Sequence, residues 1–173
     1  MEGTDDVLPE EDQALLQRLF DMLSARVSAD PYGWDGAYAM QIRQLPVGLR
    51  AMAATHYLDV SLTLDDIGWH FLNFGEPNHV KETEAGLREL GLEDLAEWFH
   101  EAYEIVLPHL PEILGSGAYL ECMEREGRMA RIKELTRKAT ELGEGCGKEV
   151  SGSAIYAAWV KYARTHPERV FAA

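Results

Sequence analysis

The residues most capable of chemistry in this sequence are carboxylates and histidines spaced to share one face of a helix. The tetrapeptide 97–100 (Glu-Trp-Phe-His) matches the Glu-x-x-His pair with which helical bundles bind two metal ions. The pair lies opposite the apolar stripe of its helix, so we expect both side chains to face water. His100-Glu101 also begins the zinc-protease pattern H-E-x-x-H, but Glu104 occupies the last position. We therefore predict no metal ion and no cofactor here.

Two other pairs have the spacing of metal ligands on one helix face. His56 precedes Asp59 by three residues, and Asp66 precedes His70 by four. The simpler interpretation is a polar pair at the edge of the core. A metal-binding helical enzyme that uses His56, Asp59, His70 and His100 is the alternative function.

A glycine-rich stretch, residues 143–148, invites comparison with the phosphate-binding loop G-x-x-x-x-G-K-[ST]. Its second glycine comes one residue early, and Glu149 stands where the magnesium-binding hydroxyl belongs. The sequence also lacks the G-x-S-x-G elbow of a serine hydrolase. We predict a loop between helices at residues 143–152 and no catalytic residue.

Negative charge is concentrated in the first two thirds of the chain. Residues 1–112 hold 22 acidic and 6 basic side chains, and residues 113–173 hold 8 and 10, which gives −16 and +2 and a net charge of −14. Such a surface repels nucleic-acid phosphates and attracts basic partners. The charge therefore excludes direct nucleic-acid binding and favours a basic protein surface as the partner.

Four acids form a row on one predicted helix: Asp94, Glu97, Glu101 and Glu104 are spaced 3, 4 and 3 residues apart. Like charges at this spacing cost about 0.2–0.5 kcal/mol per pair, and we expect the row to lack compensating bases. The row carries one charge per roughly 5 Å of helix, about threefold fewer than duplex DNA. Neighbouring acids would have to widen it, and the candidates for these outer contacts are Glu82, Glu84, Glu89, Asp65 and Asp66.

Apolar residues recur with helical spacing along almost the whole chain, and no alternating strand pattern occurs. This periodicity predicts an all-α, single compact domain of roughly seven or eight helices over residues 1–173, with 1–8 as a flexible N-terminal segment. Thr63 is the expected N-cap of a helix through Phe74, and Ser153 that of the last helix. The Pro-containing segment 107–112 is an expected corner.

Two segments carry a family resemblance. The helix motif His56-Tyr57-Leu58-Asp59, followed by residues 65–74 (DDIGWHFLNF), resembles a bacterial family of small helical proteins with a Tyr/Trp-Leu-Asp helix and an Asn-Asn-Gly-Gly-Phe-x-Gln-Phe/Tyr-Phe segment. The resemblance continues through residues 84–106 and returns at 162–168. Asp-Asp-Ile replaces Asn-Asn-Gly at 65–67, and Phe71 replaces the glutamine. The family includes a dimeric acidic DNA mimic that binds a transcriptional regulator, which implies a homodimer and a DNA-binding regulator as partner.

The remaining composition is that of a protein of the cytoplasm. The two cysteines form no CxxC motif, the N-terminus lacks the apolar core of a signal peptide, and no run of 18 apolar residues occurs. We predict a non-enzymatic acidic protein that binds a basic surface, with no membrane partner. An immunity-type inhibitor of a basic toxin is a third function that the same acids would serve.

Overall fold

The structure is a computed structural model that describes residues 9–144 and 153–172. It is 80% helical, and no strand occurs among these residues, which confirms the predicted all-α fold. In this part of the chain six α-helices have twelve residues or more, and the other five have four to seven residues. The predicted flexible segment 1–8 and residues 145–152 of the predicted loop lie outside the described residues.

The α-helices, in chain order, are α1 (Pro9–Arg26), α2 (Ala37–Ile42), α3 (Val47–Leu64), α4 (His70–Phe74), α5 (Pro77–Glu89), α6 (Glu93–Val106), α7 (Leu110–Ser116), α8 (Tyr119–Glu124), α9 (Arg128–Glu144), α10 (Ala154–Thr165) and α11 (Pro167–Val170). Short 3-10 turns at Leu107–His109 and Arg125–Gly127 precede α7 and α9. The predicted corner at 107–112 is therefore partly helical. Its prolines occupy the first turns of helices, where a missing N–H costs nothing.

Helix α3 forms the centre of the fold and packs against α5, α10 and α11. Residues 51–55 are all buried, which is typical of a helix enclosed on every side. A Cβ atom on Gly86 of α5 would lie 2.9 Å from the backbone oxygen of Ala51. Glycine at this position therefore lets α3 and α5 approach closely and fixes α5 on the core.

Two helix starts show how side chains define the local structure. Ser153 caps α10 as predicted, because its Oγ accepts the Tyr156 N–H at 3.1 Å. Thr63 is not an N-cap, since α3 continues to residue 64 and the Thr63 hydroxyl bonds to a carbonyl inside that helix. Asp66 stabilises the turn before α4, because its Oδ1 accepts the Trp69 N–H at 2.8 Å. Trp69 is the N-cap of α4, and no side chain caps that helix.

Helix α6 has the amphipathic pattern that the sequence predicts. Leu95, Phe99, Ala102 and Val106 are buried, and the helix packs between α5 and α9. The outer face of α6 is consequently flanked by side chains of α5 and α9. These two helices supply the bases that pair with the α6 carboxylates.

Candidate functional site

The α6 acid row, defined as Asp94, Glu97, Glu101 and Glu104, lies on the outer face of α6. Asp94, Glu97 and Glu104 are exposed, and the side chain of Glu101 is 40% exposed. In the described part of the chain no ion pair involves Asp94 or Glu104. The two ends of the row are therefore unpaired.

The middle of the row is compensated, so the prediction of a row without bases is wrong for Glu97 and Glu101. Arg88 of α5 binds Glu97 at 2.7 Å, Glu84 at 3.1 Å and Glu93 at 2.8 Å. These carboxylates, Glu97 first, raise the pKa of Arg88. Three carboxylates thus share one guanidinium.

Glu101 has a base of its own. Arg131 of α9 binds both of its carboxylate oxygens, at 2.5 and 2.7 Å, and this pair holds the pKa of Glu101 below its usual range. A fork of this kind needs two side chains in fixed relative positions. The packing of α9 beside α6 provides them.

The outer acids do not widen the row as expected. Glu82 is 5% exposed and bound by two arginines, so its carboxylate is not available to a partner. Glu84 pairs with Arg88 and His100, and Glu89 pairs with Arg169 at 2.8 Å. Asp66 is partly buried and accepts the Tyr119 hydroxyl at 2.6 Å. Of the five outer candidates, Asp65 alone is exposed.

Because Glu97 and Glu101 are ion-paired, neutralising them should affect thermal stability differently from neutralising the unpaired Asp94 and Glu104. Replacing Glu97 and Glu101 by Gln removes two ion-paired carboxylates, and we expect the thermal midpoint to fall by about 1–3 °C. The change Asp94→Asn with Glu104→Gln should leave the midpoint unaltered, because one acid is favoured by the helix dipole and the other is disfavoured. Calorimetry of the two double variants checks this difference. A midpoint raised by the first change would show that its ion pairs do not form.

The structure does not bring all four residues of the alternative enzyme together. His56 and Asp59 lie on α3, His70 is buried on α4, and His100 is exposed beside Glu84. In residues 9–144 and 153–172 no group of three or more His, Cys, Asp or Glu side chains is arranged to hold a metal ion. The structure therefore brings together only His56 and Asp59.

The sequence contains a second Glu-x-x-His pair, Glu76 and His79. Glu76 caps α5, since its carboxylate accepts the N–H groups of Asn78 and His79 at 3.1 and 2.9 Å. The His79 ring instead packs against Tyr38, with ring centres 4.6 Å apart. The motif serves the start of a helix here, and the simple pattern Glu-x-x-His was the signal that would have revealed it.

His70 and His79 are both buried. The Nδ1 atom of His70 lies 2.8 Å from the Ser61 hydroxyl, while its Nε2 and both ring nitrogens of His79 have no hydrogen-bond partner among the described residues. Burial lowers the pKa of His70 to about 3 and that of His79 to about 4. Both rings are consequently neutral at physiological pH.

One polar cluster was missed because its members are far apart in sequence. The Tyr156 hydroxyl of α10 lies 3.0 Å from Nδ1 of His56 and interacts with the Asp59 carboxylate, which also accepts the Ser153 hydroxyl. Asp59 and Ser153 are 94 positions apart, so no local pattern could have indicated the contact. His56, Asp59, Ser153 and Tyr156 form what we call the Asp59 cluster.

Comparisons of the chain with protein-family models, with curated proteins and with solved structures found no match. The family resemblance therefore stays a prediction from residues 56–74, 84–106 and 162–168. No helix in the described part of the chain is both long enough and apolar enough to cross a bilayer.

Proposed function

We propose that the protein is a non-enzymatic acidic binding protein of the cytoplasm whose α6 acid row contacts a basic surface of another protein. The observation that carries this proposal is the incomplete compensation of α6. Among the described residues, α6 and the side chains that form ion pairs or a cation–π contact with it include six carboxylates and three cations. Their net charge is −3 when histidine is counted as neutral. These are Glu84, Glu93, Asp94, Glu97, Glu101 and Glu104, with Arg88, Arg131 and Lys138.

The charge density along α6 is too low for close imitation of DNA, so it favours a basic protein surface in general as the partner. Helix α6 has 14 residues and is about 21 Å long, a distance over which duplex DNA carries about 12 charges. Its net charge of −3 is about fourfold smaller. A DNA-binding regulator is the specific partner that the family resemblance suggests, and a basic toxin is the other.

The unpaired ends of the row are the residues that a partner would meet first. In the described part of the chain no base pairs with Asp94 or Glu104, whereas Glu97 and Glu101 would have to exchange an arginine of this chain for one of the partner. Exposed charges of this kind mainly accelerate association and set its salt dependence. We therefore assign the largest effect on association rate to Asp94 and Glu104.

A pull-down with three matched baits tests the proposal. Wild type, the row variant Asp94→Asn/Glu104→Gln and a control variant, Glu121→Gln/Glu124→Gln, are used at low salt on cytosol of the source cell. Glu121 and Glu124 lie exposed on α8, and the control removes the same charge. We expect a basic protein that wild type and control retain and the row variant loses. Identical sets from all three baits would contradict the proposal.

A further inference from the structure

A cavity of about 570 Å³ opens between the second half of α3, the end of α9 and the start of α10. Much of its wall is apolar, with Val60, Leu95 and Ile155 among its lining residues. Leu64 also lines it and is 76% exposed, so the rim of the cavity at the end of α3 faces solvent. Pockets that bind small molecules have volumes of roughly 300–1,000 Å³ and mostly apolar walls. The size and lining of this cavity are those of a ligand pocket.

Three polar side chains of the Asp59 cluster, Asp59, Ser153 and Tyr156, also line the cavity. The Ser153 hydroxyl donates to Oδ1 of Asp59 and accepts the Tyr156 N–H, so it is held in place by the start of α10. The Tyr156 hydroxyl is held by His56 on the other side, at 3.0 Å. The carboxylate is thus fixed at the cavity wall by a rigid set of hydrogen bonds.

Among the described residues Asp59 is a partly buried carboxylate to which neither a lysine or arginine nor a backbone N–H group binds. Asp66, which also forms no ion pair in this part of the chain, accepts the Trp69 N–H. Glu82, Glu89 and Asp12 are each paired with at least one arginine. Glu76 instead accepts two backbone N–H groups at a helix start. Among the described residues the partners of the Asp59 carboxylate are hydroxyl groups, and no lysine or arginine forms an ion pair with it. Burial accordingly raises the pKa of Asp59.

We propose that this cavity binds a small organic amine, with its ammonium group on Asp59 and its apolar part against Val60, Leu95 and Ile155. A carboxylate in apolar surroundings is costly unless a positive group pairs with it, and an ammonium group supplies that charge. Its three N–H donors match the carboxylate and hydroxyl oxygens that line the wall. The net charge of −14 further favours a cation and disfavours an anion.

Calorimetric titration of the wild-type protein with three ligands of equal chain length tests this proposal. The probes are hexylamine, hexanol and hexanoate at pH 7. We expect hexylamine to bind one site per chain at least about tenfold more tightly than hexanol, and hexanoate to bind least. Equal affinities, or no saturable binding of hexylamine up to about 10 mM, would overturn the proposal. A dimer that closes the cavity to all three ligands would overturn it as well.

Substitutions locate the amine site. Asp59→Asn keeps the shape of the side chain and should weaken hexylamine by about tenfold while leaving hexanol unchanged. Asp65→Asn is the matched control, because Asp65 is exposed, follows the same helix and does not line the cavity. Thr140→Trp, which fills the cavity from α9, should weaken both ligands. Equal losses of hexylamine affinity in the Asp59 and Asp65 variants would show that only the overall charge matters, and this would refute a site at Asp59. If the Asp59 variant does not fold, the three-ligand comparison on wild type still decides.

Discussion

Lowering the pH from 7 to 5 is expected to reduce the free energy of unfolding by roughly 4 kcal/mol, because the fold keeps two histidines neutral. Burial lowers the pKa of His70 to about 3 and that of His79 to about 4, although the charges of Glu76 and Glu82 favour the charged form of His79. In the unfolded chain each pKa is about 6.5. The contribution of each histidine to the free energy of unfolding is complete above the pKa of the unfolded state. It is lost as the pH falls toward the pKa of the folded state, by about 1.4 kcal/mol per histidine for each pH unit.

Urea unfolding of His79→Phe between pH 7 and pH 5 checks this expectation. The His79 ring is packed among Tyr38, Tyr57 and Phe74, so phenylalanine suits its surroundings and cannot be protonated. We expect the acid-dependent loss to be smaller than in wild type by roughly 2 kcal/mol, since His79 no longer titrates, while His70 and His56, whose pKa burial also lowers, still do. The exposed His100→Gln is the control and should behave as wild type. The same pH dependence in His79→Phe and wild type would contradict a neutral buried His79.

Replacing Glu82 by Gln is expected to cost roughly 2 kcal/mol of stability. Glu82 binds Arg50 at 2.6 and 2.9 Å and Arg43 at 2.6 Å, and so connects α5 with α3 and the end of α2. Burial alone would raise the pKa of Glu82, but the hydrogen bonds from Arg50 and Arg43 outweigh it and lower the pKa. Breaking a fully buried ion pair costs about 3–5 kcal/mol. We expect the smaller cost of roughly 2 kcal/mol for Glu82→Gln because both arginines are more than a third exposed.

Urea unfolding at pH 7 measures this cost, with Glu121→Gln as the control. Glu121 is exposed on α8, so its substitution removes a carboxylate without leaving a buried group unpaired. A loss in Glu82→Gln no larger than in the control would mean that solvent, and not Glu82, satisfies the two arginines.

Much of the fold could be predicted because the helical signals are local. The apolar stripe of α6 and the serine at the start of α10 predicted both elements correctly. Helix α7 was missed because two prolines lie within four residues, and proline is compatible with a first turn as well as with a break. The cap was assigned to Thr63 because the end of α3 is not marked by glycine or proline, so the helix boundary could not be read from spacing.

The candidate site was predicted only in part, since pairing depends on contacts between distant segments. The position of Glu97 and Glu101 on an exposed face follows from the α6 stripe. The bond from Arg131 to Glu101 spans 30 positions, and the bonds to Glu82 span 32 and 39. Local charge patterns report only neighbours within one turn. They therefore could not show that the middle of the row is paired or that Glu82 is buried.

The central claim is that the α6 acid row is a binding surface, and the affinity of the recovered basic protein at two salt concentrations tests it most directly. The measurement compares wild type, Asp94→Asn/Glu104→Gln and the control Glu121→Gln/Glu124→Gln. The account predicts that the row variant associates roughly tenfold more slowly at low salt and has a smaller salt dependence, while the control matches wild type. Equal rates and equal salt dependence in all three proteins would show that the row is only a solvated face.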